Sequence, residues 1–403
     1  MAEENKGAGR NVVIAGYVRS PFTSANKGEL KDVRPDDLLA QTVLGLIQKT
    51  GIDPNLVEDL KVGCAMPEGE QGWNLARQVV LIADLPRKMG GVTTNRFCGS
   101  SMQTVHDAVG MIGSGMADAV ICAGVESMTR VPMGGFNPNP NPRLMKAYPA
   151  AYISTGGAAE NTAEKFQVTR EMQDAYALES QTKAAKADFS KDIVPIVAPD
   201  GNIVTKDGCP RPGTTLEGLA KLKPAFKQAG SVTAGTSSPL TDGAAAVLVC
   251  SEEFAKEHGL TIMARVKSFA VSGAEADTLM GPVTALNKAL KKAGIKLEDL
   301  DVVELHEAFA AQAVACSKSL GLDPAKVNKH GGALAMGHPL GASGAVRVGE
   351  AAKILHDDGG KYAAAAMCIA GGQGIATVFE AVNDDRPAAP VTPKPKGKCP
   401  VLR

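Results

Sequence analysis

The run Thr94-Asn95-Arg96-Phe97-Cys98-Gly99-Ser100-Ser101-Met102-Gln103 sets a single cysteine between a bulky Phe97 and a Gly-Ser-Ser turn. After Cys98 the apolar or small positions Met102, Val105, Ala108, Val109 and Ile112 recur at helical spacing. The cysteine therefore stands at or just before a helix N-terminus, where free backbone N–H groups and the positive end of the helix dipole favour a thiolate. Gly99 and the two serines leave room for another molecule to come close. An inert buried cysteine capping a core helix is the alternative reading of that stretch taken alone.

Three further patterns could share in the same chemistry. They are Leu305-His306-Glu307-Ala308-Phe309-Ala310 after a Val-rich strand, the glycine-rich run Gly331 to Gly344 (GGALAMGHPLGASG) containing His338, and Met367-Cys368-Ile369-Ala370-Gly371-Gly372-Gln373-Gly374 closing a buried strand. Each has a plain structural alternative: a solvated or core histidine, an unreactive strand cysteine, a tight turn. The glycine-rich run lacks the Gly-Lys-Ser/Thr ending of a phosphate loop. His306, His330 and His338 offer no close ligand pair, so no metal site is expected. Together the patterns fit a Cys/His nucleophile system. An imidazole takes the proton of a thiol that attacks a carbonyl, a second cysteine moves a proton at carbon, and backbone N–H groups in glycine-rich turns hold an oxyanion.

The elements that must position these residues are legible along the chain. A strand at Asn11–Gly16 precedes a helix at about Asp36–Lys49, then Gly51-Ile52 and a Glu-Asp-Leu turn into Val62. The same order returns later: a helix at Val283–Lys292, Gly294-Ile295, a Glu-Asp-Leu turn and a strand through Val302-Val303. Likewise Cys98–Met116 followed by Ala119–Gly124 is repeated as His338–Leu355 followed by Tyr362–Gly371. Two strand/helix halves of one plan predict layered, parallel-rich sheets flanked by helices. The turns opening equivalent helices would then meet across a pseudo-twofold axis, bringing Cys98 near His338. Between the halves, Pro132–Pro142 excludes regular structure, Glu160–Ala187 reads as helical, and Arg211–Gln228 adds basic residues and a short helix, as in a lid over a site. The end, Arg386–Arg403, is rich in Pro and Lys and reads as a flexible tail.

Bulk composition sets the outer limits. The 43 basic residues balance 43 acidic ones, which argues for neither nucleic acid nor a membrane surface as partner. The apolar runs Ala244–Cys250 and Ala363–Ala370 are too short to span a bilayer and read as buried strands. With 44 Gly and only 4 % aromatic residues, an α/β protein with tight turns and close backbone approach is expected. Eight cysteines without a Cys-x-x-Cys pair form neither a disulfide framework nor a zinc ribbon, and the acidic start carries no leader pattern, so the expected location is cytoplasmic.

At these motifs the chain resembles the thiolase family. The likeness runs from Asn11 to about Val382 and rests on NRFCGSSMQ, the run Ala234–Ala246 (AGTSSPLTDGAAA), HEAFA, GGALAMGHPLGASGA and CIAGGQG. The resemblance implies a duplicated, five-layered αβαβα fold. Its N-terminal half would occupy 1–127 and return at 233–262, its inserted coenzyme-A-binding loop domain 128–232, its C-terminal half 263–385 and a tail 386–403. Carried over by motif, Cys98 corresponds to the acylated nucleophile, His338 to its base and Cys368 to the acid/base that serves the α-carbon of acetyl-CoA. His338 and His306, the latter through a bound water, would hold the thioester oxygen. The backbone N–H groups of Cys98 and Ala370 would form a second oxyanion hole, Ser238 would contact the pantetheine arm, and Arg211 would lie beside the adenine.

The implied activity is cleavage of a 3-ketoacyl-CoA by coenzyme A, a substrate here and not a cofactor, to acetyl-CoA and a shortened acyl-CoA. A homodimer or homotetramer, with a possible hydratase/dehydrogenase subunit, goes with it. The alternative within the family is acetoacetyl-specific Claisen condensation; Glu126–Met133 (ESMTRVPM) is more similar to the broad-chain degradative branch. Two departures bear on the site: His306 stands where many thiolases carry Asn, and Ala370 where glycine is usual. A ketoacyl-synthase-like condensing enzyme would lack the second cysteine at Cys368. A non-catalytic CoA- or lipid-binding subunit would require none of Cys98, His338 and Cys368. A cysteine hydrolase would have no use for Ser238 and Arg211.

Overall fold

The strands form where β-branched and small residues run together, because only such runs can be covered by helices on both faces. In the computed structural model, which describes residues 9–382, they are β1 (Val12–Arg19), β2 (Asp59–Gly63), β3 (Gly90–Thr94), β4 (Ala119–Ser127), β5 (Thr241–Ser251), β6 (Ala264–Gly273), β7 (Val302–Leu305), β8 (Tyr362–Ile369) and β9 (Gln373–Glu380). Their spatial order is β7-β8-β9-β6-β1-β5-β4-β2-β3. Read outward from the β6/β1 junction, the two halves match: β1-β5-β4-β2 on one side and β6-β9-β8-β7 on the other. In each half the outer pair, β2 with β4 and β7 with β8, is parallel, while the inner strands are antiparallel. The two half-sheets pair with each other through two residue pairs, Val13↔Arg265 and Ile14↔Ala264. This is the duplication that the repeated helix–Gly-Ile–strand pattern announced.

Alternate residues of each strand enter different cores, and that alternation builds the layers. On β8, Ala363, Ala365, Met367 and Ile369 face the middle of the molecule, whereas Ala364, Ala366 and Cys368 face outward. The middle core holds α3 (Ser100–Gly113) and α8 (Ser343–Asp358) between the two half-sheets. The outer core of the first half is covered by α1 (Pro35–Thr50) and α2 (Leu75–Ile82), that of the second by α6 (Gly281–Ala293) and α7 (Ala310–Leu320). Five layers, αβαβα, result. α1 and α6 both end at a left-handed glycine, Gly51 (φ 70°) and Gly294 (φ 68°), a conformation other residues resist.

Between β4 and β5 lies the insertion, with α4 (Thr155–Lys165) and α5 (Arg170–Lys186). The single helix expected over Glu160–Ala187 is thus two. Gln167 takes φ +52°, buried Val168 docks into the outer core, and Thr169 starts the second helix by accepting from the Met172 N–H. A threonine able to cap and an apolar anchor beside it outweigh the helical periodicity. Pro132–Asn141 has no helix or strand, but Pro142, expected to share that irregularity, starts the short helix Pro142–Ala147, where a first-turn proline has no N–H to lose. The tail from Arg386 lies outside the described residues.

Candidate active site

The cysteine of the first motif sits in a tight turn locked by its own neighbours. Asn95 Oδ1 accepts from the Phe97 N–H at 2.8 Å, and Ser100 Oγ accepts from the Arg96 N–H at 2.8 Å. The Ser100 hydroxyl in turn donates to the Phe97 carbonyl at 2.6 Å. Phe97 is held at φ +43°, a left-handed conformation costing a non-glycine residue about 1–3 kcal/mol. Those three bonds offset it. Gly99 has no freedom to carry a side chain: a Cβ there would stand 2.6 Å from Ile369 Cδ1, on the strand that ends at the second cysteine motif.

The two central helices begin against each other. Ser101 Oγ, in the first turn of α3, accepts from the Ala345 N–H of α8 at 2.8 Å, and a Cβ on Gly344 would lie 2.3 Å from the Met102 nitrogen. The expected meeting of equivalent turns is present. Across it, the backbone N–H groups of Ala370 and of Cys98 itself lie close enough to the Cys98 sulfur to favour its anion. The N–H groups of Ala308 and of Cys368 bear in the same way on the Cys368 sulfur, which is close enough to Cys98 to feel its charge. Ser238, by both its N–H and its hydroxyl, donates to the Ala308 carbonyl at 3.0 Å. Five motifs scattered over the chain therefore touch one another. Arg211 is apart from them, an exposed residue of the insertion whose N–H donates to Gln181 Oε1.

His306 and His338 meet directly, Nε2 to Nε2, at 3.2 Å. The proton positions follow from the partners. Ser343 Oγ donates to the Pro339 carbonyl at 3.1 Å, so at 2.6 Å it accepts from His338 Nδ1–H. His338 Nε2 then carries a lone pair, and His306 Nε2 carries the proton between them. His306 Nδ1 is left as a buried acceptor without a partner. Burial, with the Arg347 charge second, pushes His338 down to about 3. His306 is held well below its usual range by burial, then by His338 and Arg347.

One local expectation is overturned. The helix start was expected to favour a Cys98 thiolate, but burial pushes the thiol up to about 12 despite both backbone N–H groups. Only 7 % of the residue is exposed, and desolvation of a sulfur anion outweighs a helix terminus worth at most about 2 kcal/mol. Burial likewise raises Cys368 well above its ordinary value. The resting site is a set of neutral groups: two thiols and two imidazoles.

Two buried carboxylates that the motif reading left without a role hold these loops. Glu126, at the end of β4, accepts from the N–H groups of Ala65 (2.8 Å), Met66 (3.1 Å) and Gly341 (2.8 Å) and from Gln71 Nε2 (2.8 Å). It thereby ties the turn after His338 to the first half. Glu307 accepts from Tyr176, Ser180, Asn328 and the Leu334 N–H, tying the His306 loop to the insertion helix α5 and to the glycine-rich run. Their signal in the sequence was slight: Glu126 is a single acidic residue at the end of an otherwise apolar strand, and Glu307 follows His306 in the loop after β7. Glu126→Ala would strand four buried donors at once. It should cost about 3–5 kcal/mol of unfolding free energy in urea titration. A loss below 1 kcal/mol would show the anchor to be dispensable.

No group of three or more His, Cys, Asp or Glu side chains among the described residues is arranged to hold a metal. His330 instead faces Glu350, Nδ1 to Oε2, at 3.5 Å. The seven described cysteines are all free and buried.

Comparison with known proteins agrees with this geometry. The family model for the thiolase N-terminal domain matches residues 12–253 and that for the thiolase C-terminal domain residues 260–381. A 3-ketoacyl-CoA thiolase of Aliivibrio fischeri is 46 % identical over 385 residues, covering 92 % of this chain and 99 % of that protein. One from Idiomarina loihiensis is 44 % identical over 390 residues, 93 % of this chain and 100 % of the relative. The crystal structure of human mitochondrial 3-ketoacyl-CoA thiolase superposes with a TM-score of 0.85 at 37 % identity, over 92 % of this chain and 98 % of that one. The same human enzyme in complex with CoA superposes at 0.84 and 36 % identity, over 93 % and 98 %. With both halves matched end to end around one convergent pair of cysteines, the chain belongs to the thiolase family.

Proposed function

We propose that this chain cleaves 3-ketoacyl-CoA with coenzyme A, giving acetyl-CoA and an acyl-CoA two carbons shorter, through an acyl-Cys98 intermediate. The observation that carries it is the mutual approach of Cys98 and Cys368, close enough for one charge to bear on the other, in a site that also brings His306 and His338 into contact. Relatives named 3-ketoacyl-CoA thiolase over nearly the whole chain support the substrate class.

The steps balance on this chain's own groups. His338 Nε2 takes the Cys98 proton as the sulfur attacks the 3-keto carbon, and the N–H groups of Cys98 and Ala370 hold the oxyanion. The C2–C3 bond breaks, its electron pair passes into the acetyl-CoA enolate, and Cys368 gives its proton to C2. The enolate oxygen is held by His338 and His306. Coenzyme A then gives its thiol proton to Cys368, attacks the acyl carbonyl and expels Cys98, which recovers its proton from His338. Donors preset in a dry site contribute several kcal/mol to such a barrier. Ser238 and Arg211, with the insertion 128–232 above the site, are assigned to coenzyme A.

A chain-length series of 3-ketoacyl-CoA substrates tests the reading, with CoA-dependent cleavage as the readout. Turnover across several lengths supports the degradative branch; acetoacetyl-CoA alone would move the assignment to the biosynthetic one, and cleavage without coenzyme A would sink it. Because burial keeps the His338 imidazole neutral, its protonation should limit turnover only below the usual histidine range. kcat/KM is therefore expected to stay flat through the usual histidine range and to fall only as pH approaches about 3. The sign for stability is the same. The unfolded chain binds histidine protons from about pH 6.5, the folded one only near 3, so the fold loses stability as pH falls through that window.

The proposal includes a cytoplasmic homo-oligomer, possible association with a hydratase/dehydrogenase subunit being a further part of it. Seven buried free thiols suit a reducing compartment. The strand β3 is an open sheet edge, and beside it Trp73 is 95 % exposed, with Leu81, Val92 and Phe97 also uncovered. A second copy would cover such an edge. Sedimentation should give at least two chains, and the single tryptophan should shift its emission to the blue as concentration rises. A monomer with unshifted emission would refute this.

A further inference from the structure

Below the His306–His338 contact lies a second buried pair that no step above uses. Arg347 Nη1 meets Glu304 Oε2, and the two side chains are 3 % and 1 % exposed. Their positions in the chain matter more than their charge. Glu304 is on β7, two residues before His306; Arg347 is on α8, four residues, about one helical turn, after Ser343, the residue that receives His338 Nδ1–H. The pair thus joins the strand that delivers one histidine to the helix that orients the other.

The geometry points to Arg347 and Glu304 as a positioning pair that fixes the spacing of His306 and His338 and sets a permanent positive charge near both rings until substrate oxygen arrives. This rests on the thiolase reading of that site and goes beyond it, since neither residue touches a reacting atom in the steps given.

A buried ion pair is an uneconomical way to gain stability: apolar residues of the same volume serve as well or better, whereas removing one partner costs about 3–5 kcal/mol. Its retention beside two histidines therefore calls for another reason. Arg347 supplies the only nearby cation that bears on both rings. Other ionisable groups on the elements packed around them are Glu307 on the His306 loop with Tyr176 bonded to it, the Cys209 thiol beside Thr241, and, farther along β7 and α8, Glu304 and Glu350, the latter facing His330. Burial, with Glu350 adding to it, pushes Glu304 up to about 7 against the pull of Arg347. Glu350 has neither carboxylate oxygen hydrogen-bonded within the protein. Against burial, His330, Lys353 and Arg347 hold Glu350 below its ordinary range, so the guanidinium is the fixed positive charge that serves both acids of this region.

The test reads the rings directly. The protein has six histidines, few enough for each Cε1–H signal to be titrated by NMR in histidine-labelled, full-length protein and assigned by single His→Gln variants. Arg347→Met, and Glu304→Gln/Arg347→Met as a charge-neutral version able to fold where the single variant does not, should move the titration of His338 up by about one pH unit. The acid limb of kcat should follow, with KM for the ketoacyl substrate changed less than twofold. Arg347→Lys should keep the titration low yet lose about tenfold in kcat, because an ammonium lacks the guanidinium fork. Unmoved histidine signals in either folded variant would overturn the inference. So would failure of both Met-containing variants to fold while Arg347→Lys turns over like the parent, which would leave the pair a structural brace. The NMR result does not depend on activity: lack of ketoacyl-CoA cleavage by the unaltered protein would fail the thiolase reading alone.

Discussion

Cys98→Ala is expected to abolish thiolytic cleavage, with kcat down by about ten-thousandfold or more, as when other enzymes lose a covalent nucleophile. The fold should survive. Cys98 is a small side chain at the base of a turn held by Asn95 and Ser100, neither of which bonds to its sulfur. Thermal unfolding should therefore move little while acyl transfer stops. Mass spectrometry sharpens the test: incubation with acyl-CoA should add one acyl group to the parent protein at Cys98 and none to the variant. Cleavage persisting in Cys98→Ala would end the nucleophile assignment, whatever happens to the other motifs.

Cys368→Ala separates the second sulfur from the first. A general acid or base removed from the reacting carbon costs about a hundredfold to ten-thousandfold. In this variant the exchange of acetyl-CoA methyl protons with deuterated water should fall by that amount. Cys98 should remain alkylatable, since its sulfur keeps the N–H groups of Ala370 and of its own backbone. Normal methyl exchange in Cys368→Ala would remove it from the proton-transfer role. Simultaneous loss of exchange and of Cys98 alkylation would point instead to collapse of the turn at Ala370, which circular dichroism of the variant would reveal.

The pH behaviour joins these variants to the neutral resting state. A thiol pushed up to about 12 and an imidazole pushed down to about 3 do not form an ion pair in the empty site. Proton transfer from Cys98 to His338 becomes favourable only as negative charge appears where the backbone N–H groups already point. A nucleophile of this kind should react slowly with alkylating agents near neutral pH, the reverse of a cysteine activated by a helix terminus.

What could be read from the chain by itself was whatever recurs locally. Helical spacing after Cys98, the Gly-Ile and Glu-Asp-Leu turns seen twice, and the Ala- and Val-rich strands at 244–250 and 363–370 predict the duplicated layers, because periodicity and turn chemistry act within a few residues. The long motifs around Cys98, His306, His338 and Cys368 were visible for the same reason. Tertiary structure decided the rest. The direct contact of His306 with His338, the tautomer imposed by Ser343, and the anchoring by Glu126 and Glu307 all join segments that no local pattern relates. The break at Gln167 was settled by the docking of Val168, and the charge state of Cys98 by burial between two half-sheets. Desolvation belongs to the packed interior: a helix start in the sequence says a thiolate is welcome, and only the layers closing over it reverse the sign.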